Sequence, residues 1–386
     1  MTIRSDVPLA PYTTLGVGGS ARWLVDAGGD EEVLAAVRFA RARNVPLFLL
    51  GGGSNLLVSD DGFPGVVVRI AGAELQWKAE TNGLAAIEAA AGVEWDIVVR
   101  LAVEKNCAGI ECLAGIPGSV GGTPVQNVGA YGQEVSRTIA RVYAIDLEAE
   151  KPVELSPAQC GFFYRRSVFN TTQCGRYAIT RVVYSLQQDG APHLEYRDIK
   201  QYFAEHGIVH PSLAETAAAV REIRARKGML LSPDDPDSRS AGSFFKNPIV
   251  STAMVPKLAA IKGCRIEEVP QFPANPEPAT DFASQSGPVQ GQGREGDVRE
   301  GKDARAGKLI KLSAAWLIEL AGFHKGFALG RAGLSTKHVL AIINRGGATA
   351  AEIVALHDAI VEAVYAKTAI RLEQEPVLLG FPAQKY

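Results

Sequence analysis

Six glycines fall within the eighteen residues 115–132. Three more stand together as Gly51-Gly-Gly53, immediately after the apolar run Val45–Leu50. Such density restricts what these segments can be. A helix or strand interior loses stability at each glycine, so both stretches read as turns whose backbone takes positive φ or lies close against a neighbour. The first stretch, Leu50-Gly-Gly-Gly-Ser-Asn-Leu-Leu-Val58, follows a predicted buried strand. Its bared amides, with Ser54 and Asn55 beside them, can cradle a diphosphate without any net positive charge. The second, Leu113-Ala-Gly-Ile-Pro-Gly-Ser-Val-Gly-Gly-Thr-Pro124 followed by Gln126-Asn-Val-Gly-Ala-Tyr-Gly132, reads as two tight turns able to do the same.

Two other glycine patterns do not carry function. Gly16-Val-Gly-Gly-Ser-Ala21 fits the loose dinucleotide pattern, but Pro11-Tyr-Thr-Thr14 before it is no buried strand. Gly296 to Lys302 resembles a phosphate-binding loop, but Asp303 stands where magnesium would need a hydroxyl.

The chain's 386 residues are enough for two or three domains. Hydrophobic residues make up 47% and charged residues 21%, ordinary values for a globular protein. A net charge of −2 offers no field for a nucleic-acid backbone. The amino-terminal residues lack an apolar secretion core, and no apolar run approaches a membrane span. A cytoplasmic protein with no membrane or nucleic-acid partner is expected. Cysteines 107, 112, 160, 174 and 264 form no CxxC pair and read as reduced thiols, and no histidine spacing suggests a metal.

Apolar spacing at 33, 34, 37 and 40 predicts a helix over 30–43. Further helices are predicted at 94–105, from Ser212 (with Glu215, a capping box) to about Lys227, near 313–321 and over 349–366. Strands are predicted at 45–50, 66–70, 140–145 and 178–185. Helices and strands do not alternate strictly, so the fold class reads as α+β. Residues 274–307 hold six glycines and three prolines among many polar side chains, and read as a mobile insert.

The two glycine loops, taken with Tyr164-Arg-Arg-Ser167, Ala241-Gly-Ser-Phe-Phe-Lys-Asn-Pro248, Lys311-Leu-Ser-Ala-Ala-Trp-Leu-Ile-Glu319 and Leu372-Glu-Gln-Glu375, resemble the UDP-N-acetylenolpyruvoylglucosamine reductase family over nearly the whole chain. The Leu194-Glu-Tyr196 segment resembles that family's type I form, in which a tyrosine-bearing loop folds over the substrate. The resemblance implies an FAD-binding domain of the vanillyl-alcohol-oxidase type plus a C-terminal α+β substrate-binding domain. It implies FAD-binding subdomains over 1–70 and 71–228, a substrate domain over 229–375, and a final strand in 376–386 returning to the first. It implies an oxidoreductase of peptidoglycan precursor synthesis, a monomer, that uses NADPH to reduce UDP-N-acetylglucosamine enolpyruvate.

By the same resemblance, FAD is held by Gly51, Gly52, Gly53, Ser54, Asn55, Leu56, Ile116, Pro117, Gly118, Ser119, Gly121, Gly122, Asn127, Gly129, Ala130 and Tyr131. Tyr196, Lys227 and Asn247 hold the UDP-sugar, and His338 stands where some relatives carry a substrate-site glutamine. Arg165, Ser243 and Glu375 are the catalytic set. That set suits the chemistry. Hydride added to a vinyl ether next to a carboxylate leaves negative charge that a guanidinium can meet in two hydrogen bonds. A hydroxyl can then give a proton to the adjacent carbon. If 162–168 is a strand, Arg165 and Arg166 point to opposite faces, so one of them can serve. Glu373 and Glu375 would share a face, which leaves them inseparable on spacing alone.

Two rivals remain. An FAD-linked oxidase of the same fold often tethers its flavin through a histidine or cysteine in the first glycine loop. Residues 51–58 have neither, so the flavin here is expected to be non-covalent. A non-catalytic nucleotide-sugar-binding protein would be colourless.

Overall fold

In a computed structural model, residues 1–80, 82–274 and 308–382 are described; the insert read at 274–307 falls almost wholly outside them. The amino-terminal sheet has four strands in the order Ile3–Pro8, Ser20–Ala27, Phe63–Ile70, Leu47–Leu50. Phe63–Ile70 runs parallel to both its neighbours. Its fully buried Val66, Val67 and Val68 show why: a parallel strand covered on both faces needs a continuous apolar run. The Asp30–Ala42 helix makes the crossover and buries Val33, Ala36, Val37 and Ala40 against this sheet. Its three acidic residues fill the first turn, where the helix dipole favours them.

The second sheet is antiparallel, in the order Lys151–Leu155, Ile139–Asp146, Tyr177–Gln188, Leu84–Ala90, Leu75–Ala79. The Trp95–Glu104 and Leu213–Arg226 helices cover it, and Trp95, Val98, Val99, Val220 and Ile223 join its core. Ser212 caps the latter helix through the predicted box with Glu215. The C-terminal body packs two small three-stranded sheets against the Ala314–Leu320 and Ala350–Thr368 helices. Leu15, Val17 and Leu57, from the amino-terminal part of the chain, complete its core.

Polar ties reinforce that junction. Both Asp60 carboxylate oxygens accept from the backbone of the Ala350–Thr368 helix, at Ala350 (2.8 Å) and Ala351 (2.9 Å). Val377–Leu379 pairs in parallel with Leu56–Val58, the strand leaving the first glycine loop, in a two-stranded sheet. No described helix is long and apolar enough to cross a membrane, and all five cysteines are free.

One local expectation changes. Residues 162–168 form no strand: Phe163 and Arg166 exchange backbone hydrogen bonds across a tight turn, and Arg165 takes φ +58°. Tyr196 ends the irregular stretch that follows Tyr177–Gln188, as the tyrosine-bearing segment was expected to. It occupies the cap position of the Arg197–Glu205 helix. Gly16–Ala21 leads into a strand rather than a helix, so it is not a dinucleotide site.

Candidate active site

The two glycine loops meet backbone to backbone. A Cβ on Gly53, whose φ is +63°, would lie 1.8 Å from the Tyr12 carbonyl oxygen. One on Gly52 would lie 2.6 Å from Gly118 Cα, and one on Gly118 2.7 Å from Ser54 Oγ. No side chain fits between these loops, so glycine here is a packing requirement as well as a conformational one. Gly122, in contrast, faces open space, with nothing within 4 Å of a built Cβ. The second loop rests on the turn before the Trp95–Glu104 helix: Trp95 N–H donates to Gly118 O (3.0 Å), Val120 N–H to Val93 O (2.9 Å) and Gly121 N–H to Ala91 O (2.9 Å).

Alongside the joined loops opens a cavity of about 460 Å³. Gly51 through Leu56, Ile116 through Ser119, Gly122, Gly129, Ala130 and Tyr131 line it, as do Arg165, Ser243, Glu375, Tyr196, Lys227 and His338. Ser119 Oγ is buried and has no hydrogen-bond partner in the protein. A buried hydroxyl without a partner is costly. That orphan, together with the side-chain-free cradle, fits a bound FAD, which would be held by the two loops.

Three expected site residues do not reach the cavity. Gly121 lies under it, where a Cβ would meet Ala91 at 2.7 Å. Asn127, buried at φ +45°, spends its amide on Glu134 (3.0 Å) and Phe163 O (3.1 Å) and its oxygen on Ser136 N–H (3.1 Å). It holds the turn that carries Arg165. Asn247 Oδ1 accepts from Ala314 N–H (2.9 Å), the first N–H of the helix that Ser313 caps.

Arg165 is held in left-handed backbone geometry by Asn170, whose amide donates to the Arg165 carbonyl (3.1 Å). Its Nη2 donates to Gly129 O (3.0 Å), and its Nε stands 3.1 Å from Glu375 Oε1. This contact is an ion pair rather than an aligned hydrogen bond, because Nε–H finds no well-placed acceptor. Burial opposes the Arg165 charge, but Glu375, Tyr164 and Glu134 outweigh it and raise its pKa. Behind it, Lys311 Nζ lies 4.1 Å from the Tyr164 ring, its own pKa lowered by burial. The two glutamates that spacing could not separate are now distinct. Glu375 is 12% exposed and faces Arg165, whereas Glu373 is 66% exposed and lies 3.5 Å from Lys246.

Ser243 follows Gly242, which takes φ +75°. Its hydroxyl makes no hydrogen bond among the described residues; the local turn is bonded instead by Ser240 Oγ, which accepts from Gly242 N–H (3.2 Å). The segment is fixed on both sides by backbone bonds, Phe244 N–H to Leu340 O (2.8 Å), Glu375 N–H to Phe244 O (2.9 Å) and Lys246 N–H to Glu373 O (2.9 Å). Asn55 then ties the first glycine loop to the same place, donating to Glu375 O (3.1 Å) and Gln126 Oε1 (2.7 Å).

At the far end Tyr131 and Tyr196 meet edge to face, 5.3 Å between centroids, and Lys227 Nζ lies 5.7 Å from the Tyr131 ring and pairs with Asp198. Burial pushes the Tyr131 phenol up to about 12. Arg224, Lys246, Trp95 and Gln126 also line the cavity and were not foreseen. Arg224 stands three residues before Lys227, on nearly the same helix face, a spacing that could have exposed it.

Burial, and then Lys227 and Lys325, lower the His338 pKa to about 4. The neutral ring is therefore favoured in the folded chain. As pH falls from about 6.5 towards 4, the unfolded chain takes up a proton that the folded one refuses, so stability is lost over that window. Between pH 7 and pH 5 this amounts to about 2 kcal/mol. Urea midpoints of the flavin-loaded protein at the two pH values should show that loss, and His338→Gln should shrink it by that amount.

Comparison with known proteins agrees with this geometry. The family model described as FAD binding domain matches residues 21–154, and that of the UDP-N-acetylenolpyruvoylglucosamine reductase C-terminal domain matches 234–379. The UDP-N-acetylenolpyruvoylglucosamine reductase of Thermobifida fusca is 39% identical over 376 residues, 97% of both chains. That of Streptomyces coelicolor is 42% identical over 382 residues, 97% of this chain and 90% of the other. The crystal structure of the corresponding reductase from Thermus caldophilus superposes with a TM-score of 0.59 at 26% identity, covering 98% of this chain and all of the other. With relatives this similar over nearly its full length, the chain belongs to the UDP-N-acetylenolpyruvoylglucosamine reductase family.

Proposed function

We propose that the chain reduces the enolpyruvyl ether of UDP-N-acetylglucosamine enolpyruvate to UDP-N-acetylmuramate, with NADPH as reductant, in the cytoplasm and as a monomer. The observation that carries this reading is the convergence on one cavity of the double glycine cradle, the Arg165–Glu375 pair and the unpartnered Ser243 hydroxyl. FAD, held by the two glycine loops at 51–56 and 116–131, would supply the hydride-transfer chemistry between NADPH and the vinyl ether.

The chain's own residues do the rest. Arg165 meets the substrate carboxylate and the negative charge that develops beside it, from a position where Glu375 and Gly129 O already hold the guanidinium. Ser243 gives its proton to the carbon next to that carboxylate, and Glu375 orients Arg165. Lys227 and Tyr196 hold diphosphate oxygens at the far end, where the neutral His338 adds a hydrogen-bonding ring without adding charge. Asn247 accepts the first N–H of the Ala314–Leu320 helix and so holds that helix start.

An absorbance spectrum of the purified protein followed by anaerobic NADPH tests the reading. The protein should be yellow, bleach with NADPH, and regain colour on adding the enolpyruvyl sugar. Acid or heat should release intact flavin, since residues 51–58 offer no histidine or cysteine to bond it. Colourless protein, or bleached flavin that the sugar does not restore, would overturn the assignment.

A further inference from the structure

His357 lies outside the cavity, on the Ala350–Thr368 helix, and none of the chemistry above uses it. Its side chain is 9% exposed. Nδ1 stands 2.8 Å from Asp358 Oδ1, the arrangement of an N–H donating to a carboxylate. That leaves Nε2 as the bare ring nitrogen, and Nε2 is buried with no partner. The ring lies flat under Phe245, 5.4 Å between centroids and 7° between planes, and is 5.7 Å from Phe244. These phenylalanines directly follow Ser243, and Phe244 O accepts from Glu375 N–H. Packing alone would be served by any apolar ring, so a histidine with a buried, unused nitrogen needs a reason.

We propose that His357 is a positioning residue: its neutral ring, stacked under Phe245, fixes the segment that sets Ser243 and Glu375 against one another in the cavity. The proposal rests on the reading given under Proposed function. Protonation at Nε2 would bury a charge and an unpartnered N–H away from water, a cost that attraction to the Phe245 face offsets only in part. Burial lowers the His357 pKa, and Asp358 opposes that.

Few other charges reach the ring. Of the elements packed on this helix, Ala332–Leu334 and Ile342–Asn344 carry no charged residue, and Glu319, on Ala314–Leu320, is exposed. Beyond Phe244 and Phe245, Lys246 faces Glu373, and Glu375 faces Arg165.

The test compares flavin-loaded wild type, His357→Phe and His357→Ala. Reduced flavin is reoxidised by the enolpyruvyl sugar in stopped flow between pH 5 and pH 8, alongside steady-state kcat and KM. Wild type should lose rate on the acid side in a single-proton step. His357→Phe keeps the stack without the titratable nitrogen, so it should lose that acid limb. His357→Ala removes the ring, and should bind flavin with unchanged KM but a kcat roughly 10- to 100-fold lower, the scale of a small misplacement of reacting groups. Retention of the acid limb by His357→Phe, or a wild-type kcat in His357→Ala, overturns the proposal. If the alanine variant fails to fold, the phenylalanine variant still decides. Wild-type flavin that the sugar never reoxidises would instead mark failure of the functional reading, and this inference falls with it.

Discussion

Ser243→Ala should bind FAD and oxidise NADPH as the wild type does, while reoxidation of its flavin by the enolpyruvyl sugar slows by about 10²–10⁴-fold, the usual cost of a lost general acid. The two half-reactions separate because the reductant's hydride needs no proton from the protein, whereas the sugar's carbon does. Ser243→Cys should recover part of the rate, since a thiol can donate. A turn-capping role for Ser243 would predict otherwise, with about 0.5–2 kcal/mol of stability lost and turnover kept. The structure already weakens that alternative, because the hydroxyl bonds to nothing described and Ser240 bonds the turn. Stopped-flow reoxidation within tenfold of wild type would rule Ser243 out as the donor.

Arg165→Met should lose both turnover and stability. Removing a preorganised charge that meets a developing anion costs about 10²–10³ in kcat. The same change strands Glu375, 12% exposed, without its counter-charge. Stranding one member of a buried pair costs about 3–5 kcal/mol, and slight solvent access places this pair at the low end. Adding Glu375→Gln removes the stranded carboxylate, so the double variant should regain stability in urea unfolding while staying inactive. A single variant with near-wild-type kcat would remove Arg165 from the mechanism.

Most of the regular structure was legible in the sequence because it rests on local signals. The apolar stripe of 30–42, the Ser212/Glu215 box and the β-branched strands each carry their own evidence. Both glycine loops were legible as close-approach turns, and the structure adds that each loop is the other's close neighbour. What escaped was set by distant partners. The turn at 163–166 depends on Asn127 and Asn170, which no spacing rule links to Arg165. Glu373 and Glu375 look alike in sequence; what tells them apart is Lys246 on one side and Arg165 on the other. Asn247 carries an amide suited to a ligand, but a helix start 67 residues away takes it.

The Asn55 amide spans 320 residues to reach the Glu375 carbonyl, and Val377–Leu379 closes the sheet beside it. On the ribosome, the first glycine loop emerges long before either partner exists. Until then Leu56–Val58 has no strand partner and one wall of the cofactor pocket is missing. Contacts of such long range form late in folding and leave the waiting strand prone to wrong pairings. Colour should therefore appear only once the chain has been made through Leu379. A ribosome-stalled chain ending just short of Glu375 should hold both sheets yet remain colourless.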